Sequence, residues 1–428
     1  MRHLLGKRYS LLVLSFLLTA FGMHALAQVG GPLKIITVDG KAPGSMSSTG
    51  VLAGKTLYVS GQDGRNADGS VPKDFQQEVS QTLSNVQGVL RAGGMDFGNI
   101  VTMNVYLTHV SDVNAMNTVY WKAIGSNPPA RTVLAIAGLP NGVNIEINCI
   151  AVSSDAKRVV IHPQGWPQGP HIDPAGIQAD DVLYMSAQFG VDPLTGKIAA
   201  DFPGEVKQSM DNVVAVAKAA NMAIENLIWV NPYLSTAGSN ERAMNTGYAS
   251  YFQIGNLPGR GTFTVVDLPN GNHMAFTCIA GADLSKRKII RPRNEGLSRT
   301  SSPGNLYDDT SYYSAKDAFV PGLGYFPPEL DIQTRLSMRN LLDGLEAADI
   351  DFANVASATI YMRDMADADK VEAIYGLFFK GVFPAKTTLA ENLDLKATDV
   401  EQISFIAVRD PQAPPKTNTA PRRGAAQQ

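Results

Sequence analysis

The chain has 428 residues, 44% of them hydrophobic and 18% charged, and carries a formal net charge of −3. That length exceeds one ordinary core. A mildly acidic chain without basic runs has no electrostatic footprint for nucleic acid, and nucleic acid is excluded as a partner.

Residues 1–27 read as a signal peptide rather than as part of the fold. Arg2, Lys7 and Arg8 give a basic start, an apolar run surrounds Leu11 to Leu18, and Ala25-Leu26-Ala27 is a small-residue cleavage signal. The run is too short to favour a membrane span, so no membrane association is expected after cleavage. Export to the periplasm or the medium, with cleavage before Gln28, is the expectation; an uncleaved anchor is the alternative. Losing three cations and no acid would move the net charge from −3 to −6.

From residue 34 the elements follow in order. Lys55 to Ser60 is rich in β-formers and closes on Gly61-Gln62-Asp63-Gly64, which predicts a strand, with a short strand or hairpin before it. Phe75, Val79, Leu83, Val86 and Leu90 recur at helical spacing, and Gly93-Gly94 ends that helix. Residues 100–108 alternate as a strand, 112–124 form a second helix, and 131–137 and 143–152 are two more strands joined by the Asn141-Gly142 turn. The order strand, helix, strand, helix, strand, strand predicts an α+β unit with two helices on one face of a mixed sheet. Neighbouring units are the expected cover for the other face.

This unit recurs. PPARTVLAIAGLPNGVNIEINCIAV at 128–152 returns as PGRGTFTVVDLPNGNHMAFTCIAG at 258–281 and, more loosely, as FPAKTTLAENLDLKATDVEQISFIAV at 383–408. AMNTVY at 115–120 returns as AMNTGY at 243–248. Three domains follow: unit one at 34–153, unit two at 159–282 and a divergent unit three at 289–409. The tail, 410–428, is rich in Pro, Ala and polar residues and reads as disordered. The joins are short, which favours packed units over beads on a string. Cys149 and Cys278 occupy equivalent positions on the apolar side of a strand, so they read as buried free thiols, not a disulfide. His162 and His171 have no cysteine or carboxylate to complete a metal set, and no metal site is expected. Tyr312-Tyr313 reads either as an interaction surface or as an irregular edge strand.

These motifs resemble the RidA/YjgF family, three times over. The resemblance implies three ferredoxin-like (chorismate-mutase-like) units closed into an intramolecular pseudotrimer, monomeric as a chain, with ligand clefts between units. It also implies hydrolysis of reactive 2-imino or enamino acids to 2-oxo acids and ammonia, without metal or organic cofactor. Arg131 matches the family arginine that grips the substrate carboxylate, a role suited to a planar fork of donors. Glu146 matches the acid that positions the attacking water, Asn117 a cleft-lining asparagine, and Ser60-Gly61-Gln62 the family's S-G-Q turn. The expected site is one cleft lined by Arg131, Glu146 and Asn117, with Arg131 and Glu146 catalytic.

Unit two keeps Arg260 and Asn245 as ligand-binding residues but has Ala275 at the acid position. Unit three has Lys386 for arginine, Glu372 for asparagine, and Pro321 and Leu323 where the S-G-Q turn is expected; Glu401 and Gln402 both remain open as its acid position. The aromatic that the family donates from an early loop has no clear match, with Ser47 nearest. The alternative is a non-catalytic exported protein that binds small carboxylates or scaffolds a partner through the same clefts. A lyase or hydrolase acting on a cyclic substrate is a third possibility.

Overall fold

The computed structural model describes residues 33–38, 46–320, 323–391 and 400–410. The expected signal segment and residues 411–428 of the expected tail lie outside the described residues. In unit one the chain runs β1 (Leu33–Ile36), β2 (Gly50–Ala53), β3 (Thr56–Asp63), α1 (Phe75–Ala92), β4 (Ile100–Leu107), α2 (Val113–Ile124), β5 (Ala130–Ala135) and β6 (Ile145–Val152). The helical periodicity seen in the sequence forms α1: Val79, Leu83, Val86 and Leu90 are buried on one face, and Asp74 caps the first turn by accepting from the Gln77 amide. Burial of each such side chain contributes about 1.5–3 kcal/mol.

The sheet order is β1-β2-β3-β6-β4-β5. β6 enters between β3 and β4, antiparallel to both, and β5 lies parallel to β4 at the edge. The Asn141-Gly142 turn therefore joins β5 to β6 without pairing them. Both residues adopt positive φ, 63° and 67°, but they carry the chain over β4 instead of folding β6 back onto β5.

Unit two repeats the plan with β7 (Arg158–Ile161), β8 (Gly176–Ala179), β9 (Val182–Met185), β10 (Gln188–Phe189), α3 (Phe202–Ala219), β11 (Leu227–Ser235), α4 (Glu241–Ala249), β12 (Gly259–Arg260), β13 (Phe263–Val265) and β14 (Met274–Gly281). Unit three has β15 (Arg287–Ile290), β16 (Gly304–Tyr307), β17 (Thr310–Lys316), α5 (Leu330–Ala347), β18 (Val355–Met362), α6 (Ala368–Gly376), β19 (Ala385–Ala390) and β20 (Glu401–Val408), in the sheet order β15-β16-β17-β20-β18-β19.

The three helix-covered faces hold three separate cores. The opposite faces pack on one another, where Tyr106, Leu134 and Ile136 meet Tyr233, Phe263, Val265, Tyr361 and Leu389. Backbone bridges close the ring: Ala135 to Asp267 joins units one and two, Gly259 to Ser302 joins two and three, and Ser48 to Ala385 and Gly138 to Ala390 join three and one. Tyr312 and Tyr313 are buried in β17, an interior strand, so neither the edge strand nor the interaction surface holds. Cys149 and Cys278 are free and buried in different cores, where burial pushes both thiols well up.

Candidate functional site

Each interface is built by the same rule. One unit supplies a cation at the start of its edge strand and a residue of its second helix; the next unit supplies a serine turn. The Arg131 amide donates to Ser186 Oγ (2.9 Å), which donates to the Pro174 carbonyl (2.6 Å). The Arg260 amide donates to Ser314 Oγ (2.8 Å), which donates to the Ser302 carbonyl (2.5 Å). Ser60 Oγ donates to the Thr49 carbonyl (2.9 Å), and the adjoining Ser48 amide donates to Pro384 O (3.0 Å). The third unit's counterpart of Ser60-Gly61-Gln62 is thus Ser314-Ala315-Lys316. Leu323 does not hold that place, and Pro321 lies outside the described residues.

This rule separates residues that the sequence reading gathers into one cleft. Arg131 lies beside Met103, whose side chain is in the helix-covered core, so Arg131 points to the helix face. Glu146 lies beside Tyr106, which faces the neighbouring units. Successive strand residues alternate faces, and the two positions are three residues along and two strands across from each other, about 14 Å. Arg131 and Asn117 line the cavity between units one and two, whereas Glu146 and Ser60-Gly61-Gln62 line the cavity between units three and one. The single cleft of Arg131, Glu146 and Asn117 is corrected.

Between units one and two the cavity is about 330 Å³, and its cation is already engaged. Arg131 Nη1 donates to Asn117 Oδ1 (2.7 Å), Nε and Nη2 both donate to Asp173 Oδ2 (3.0 and 2.8 Å), and Tyr120 stacks beneath the guanidinium at 4.2 Å. Asp173 occupies the position that Ser47 and Ser301 hold in the other units, three residues before the first glycine of β8, β2 and β16. A protein carboxylate thus fills the fork. The register confirms Ala275 at the acid position, since Tyr233 pairs with Ala275 as Tyr106 pairs with Glu146. Asp173→Ser is expected to cost about 3 kcal/mol by stranding the buried Arg131 charge. Added 2-oxobutanoate should recover part of the lost melting temperature.

Between units two and three, Arg260 Nη1 donates to Asn245 Oδ1 at 2.6 Å. Tyr361 pairs with Gln402, which settles the acid position there as an amide. Glu401 instead accepts from Ser337 Oγ within its own unit, at 2.5 Å. Neither Asn117 nor Asn245 is only a cleft wall: each holds an arginine in place.

Between units three and one lies the largest of these cavities, about 820 Å³, lined by Ser60, Gly61, Gln62, Glu146, Glu372 and Lys386 among others. Glu146 is 5% exposed. Burial, reinforced by the charge of Asp63, pushes its carboxyl up to about 8 against the pull of Arg65 and Lys386. Its Oε1 sits directly over Gly61, where a β-carbon would come within 1.8 Å of it. Gln62 Nε2 donates to Ser60 Oγ (2.8 Å) and fixes the turn. Opposite, Lys386 Nζ pairs with Glu372 Oε1 at 2.5 Å. Burial pushes the Lys386 ammonium below its ordinary range, while Glu372 and Glu146 hold it up. An acid poised near neutrality, a cation and room for a ligand meet across this interface.

Asp173 is the residue that sequence reasoning missed. It lies in an aperiodic Pro- and Gly-rich stretch, and only its spacing from the β8 glycine could have aligned it with Ser47. Among the described residues no group of three His, Cys, Asp or Glu side chains could hold a metal, and no helix is long and apolar enough to cross a membrane. His162 lines the cavity between units one and two, and His171 stacks on Trp121.

Comparison with known proteins adds a lineage to this geometry. The family model of Endoribonuclease L-PSP matches residues 40–153, 169–281 and 315–409. The 2-iminobutanoate/2-iminopropanoate deaminase of Homo sapiens is 38% identical over 116 residues, 26% of this chain and 85% of that protein. The protein of the same name from Capra hircus is 40% identical over 116 residues, with the same shares. A chorismatase crystal structure is 11% identical, covers 73% of this chain and 93% of its own with a TM-score of 0.54, and so shares the fold alone.

Proposed function

Because the chain belongs to the Endoribonuclease L-PSP family, the RidA/YjgF family whose motifs its sequence carries three times, we propose that it is an imine deaminase working in the cleft between its third and first units. Glu146 is the acid–base residue of this reading. The observation that carries it is the pairing, in one roomy cavity, of a buried carboxyl titrating near 8 with the Ser60-Gly61-Gln62 turn and a facing ammonium. Water adds to the imine carbon while the Glu146 carboxylate accepts its proton. The same proton then passes to the amine of the tetrahedral carbon, and ammonia leaves as the hydroxyl gives its proton back to the Glu146 carboxylate and becomes the carbonyl. One group in both protonation states near neutral pH suits both halves. The names of the relatives support a small imine as the substrate.

Binding without turnover is the reading for the cleft between units two and three, where Gln402 stands in place of the acid; between units one and two Ala275 stands there and Asp173 fills the arginine fork. The test is ammonia release from freshly generated 2-iminobutanoate by the full chain, with folding of each variant checked by circular dichroism. Glu146→Gln is expected to lose turnover and Arg131→Ala to keep it. Loss with Arg131→Ala and survival with Glu146→Gln would return the reaction to the cleft between units one and two and sink this reading.

A further inference from the structure

The three copies differ at a pair of residues that helps decide what charge a ligand meets. In unit two the cation is Arg260, held by the neutral oxygen of Asn245, an arrangement that leaves its charge intact; in unit one Asn117 holds Arg131 in the same way, and Asp173 of the next unit fills its fork. In unit three both members have changed together. Lys386 replaces the arginine, and Glu372, on α6 at the asparagine position, neutralises it at 2.5 Å. A lysine offers a point charge without the fork that matches a carboxylate, and this one is spent on a protein anion. Its side chain is only 6% exposed.

Glu372 also changes what the cavity can accept. Its side chain is 21% exposed and lines the cavity, and among the described residues its second oxygen, Oε2, has no hydrogen-bond donor. Asp369, one turn earlier on α6, lines the same wall. A carboxylate placed there would meet these acids across a cancelled cation, whereas an N–H would find an acceptor. At about 820 Å³ the cavity lies in the range that holds drug-sized ligands, roughly 300–1,000 Å³, and so leaves space beyond a three- or four-carbon acid.

We propose that this cleft acts on imines or enamines whose carbonyl substituent is an amide rather than a carboxylate, and that Glu372 is the residue that sets this preference. The proposal rests on the reading that Glu146 carries turnover. The step balances without a further reactant: 2-aminoacrylamide plus water gives 2-oxopropanamide plus ammonia. A carbon–oxygen bond forms, the carbon–nitrogen bond to the amine breaks, and the methylene carbon takes a proton as the enamine becomes the imine.

The experiment compares ammonia release from 2-aminoacrylamide and from 2-aminoacrylate by the full chain. The amide is expected to be favoured at least tenfold in kcat/KM. The double variant Glu372→Asn with Lys386→Arg, which installs the pair found in the other units, is expected to reverse the preference. If that variant misfolds, Glu372→Gln alone, which frees the Lys386 charge, should shift the ratio toward the carboxylate at least tenfold. Equal or better use of 2-aminoacrylate by the wild type, or a ratio unmoved by these variants, overturns the proposal. Failure of the underlying reading looks different: turnover that survives Glu146→Gln, or none on either compound. In that case the affinities of 2-oxopropanamide and 2-oxopropanoate, measured by calorimetry, decide the preference on their own, with the carboxylate binding better as the overturning result.

Discussion

Raising the pH from 6 to 9 is expected to increase imine hydrolysis by the intact chain, with an ascending limb centred near pH 8. Glu146→Gln should abolish that limb and lower the rate by about 10²–10⁴-fold, the usual worth of a positioned acid–base group. The limb follows from the site. Only the carboxylate can take the proton of water, and burial, with the charge of Asp63 nearby, keeps the proton on Glu146 up to about 8. The same shift acts on stability. Between its ordinary value of 4.5 and about 8, the folded state holds a proton that the unfolded state has released. The associated stability is therefore full at acid pH and declines as pH rises through that window. At pH 8 to 9 Glu146→Gln should be more stable than the wild type by on the order of 3 kcal/mol, and near parity at pH 4.5. Urea titrations at the two pH values measure this directly. A variant no more stable at pH 9 than at pH 4.5, relative to wild type, would mean that the carboxyl is not held protonated.

Gly61→Ala is expected to reduce turnover as severely as loss of the acid itself, at least 10²-fold. The glycine is there for space: its φ is not among the positive ones, and a β-carbon at that position would lie 1.8 Å from Glu146 Oε1 and 2.5 Å from its carboxyl carbon. The alanine must expel the carboxylate from its seat. Forcing that shift in a packed site should also cost about 1–3 kcal/mol. Adding Glu146→Ala removes the obstacle, so the double variant should regain most of the stability while staying inactive. The chain already contains that combination. In unit two Ala187 accompanies Ala275. A double-mutant cycle in stability measures the coupling. Independent, additive costs would show that Gly61 does not make room for Glu146.

Periodicity made much of this protein legible in advance. The apolar spacing of Phe75 to Leu90 marks a helix whose limits fall within two residues of α1, and the three copies of the Pro-Asn-Gly region announce three like units. Register was not legible. Whether Arg131 and Glu146 share a sheet face depends on which strands pair, and β6 pairs with β3 and β4 rather than with its neighbour in sequence, β5. The Asn141-Gly142 signal marks a turn, but backbone conformation at two residues does not specify which edge the next strand joins. Lys386 and Glu372, taken one at a time, are only departures from the family's arginine and asparagine. Only the ion pair between them, and the cavity they share with Glu146, shows that they complete the one cleft that retains the acid.

The site also has a place in time. β3 and β6 come from the first third of the chain, whereas Lys386 and α6 come from the last. During synthesis the arginine-bearing interface of units one and two can form while the ribosome is still translating the third unit. The proposed reaction centre cannot form until β19 has emerged. A product truncated after unit two would keep a closed arginine cleft and half of the proposed catalytic one, and on that reading would not hydrolyse imines.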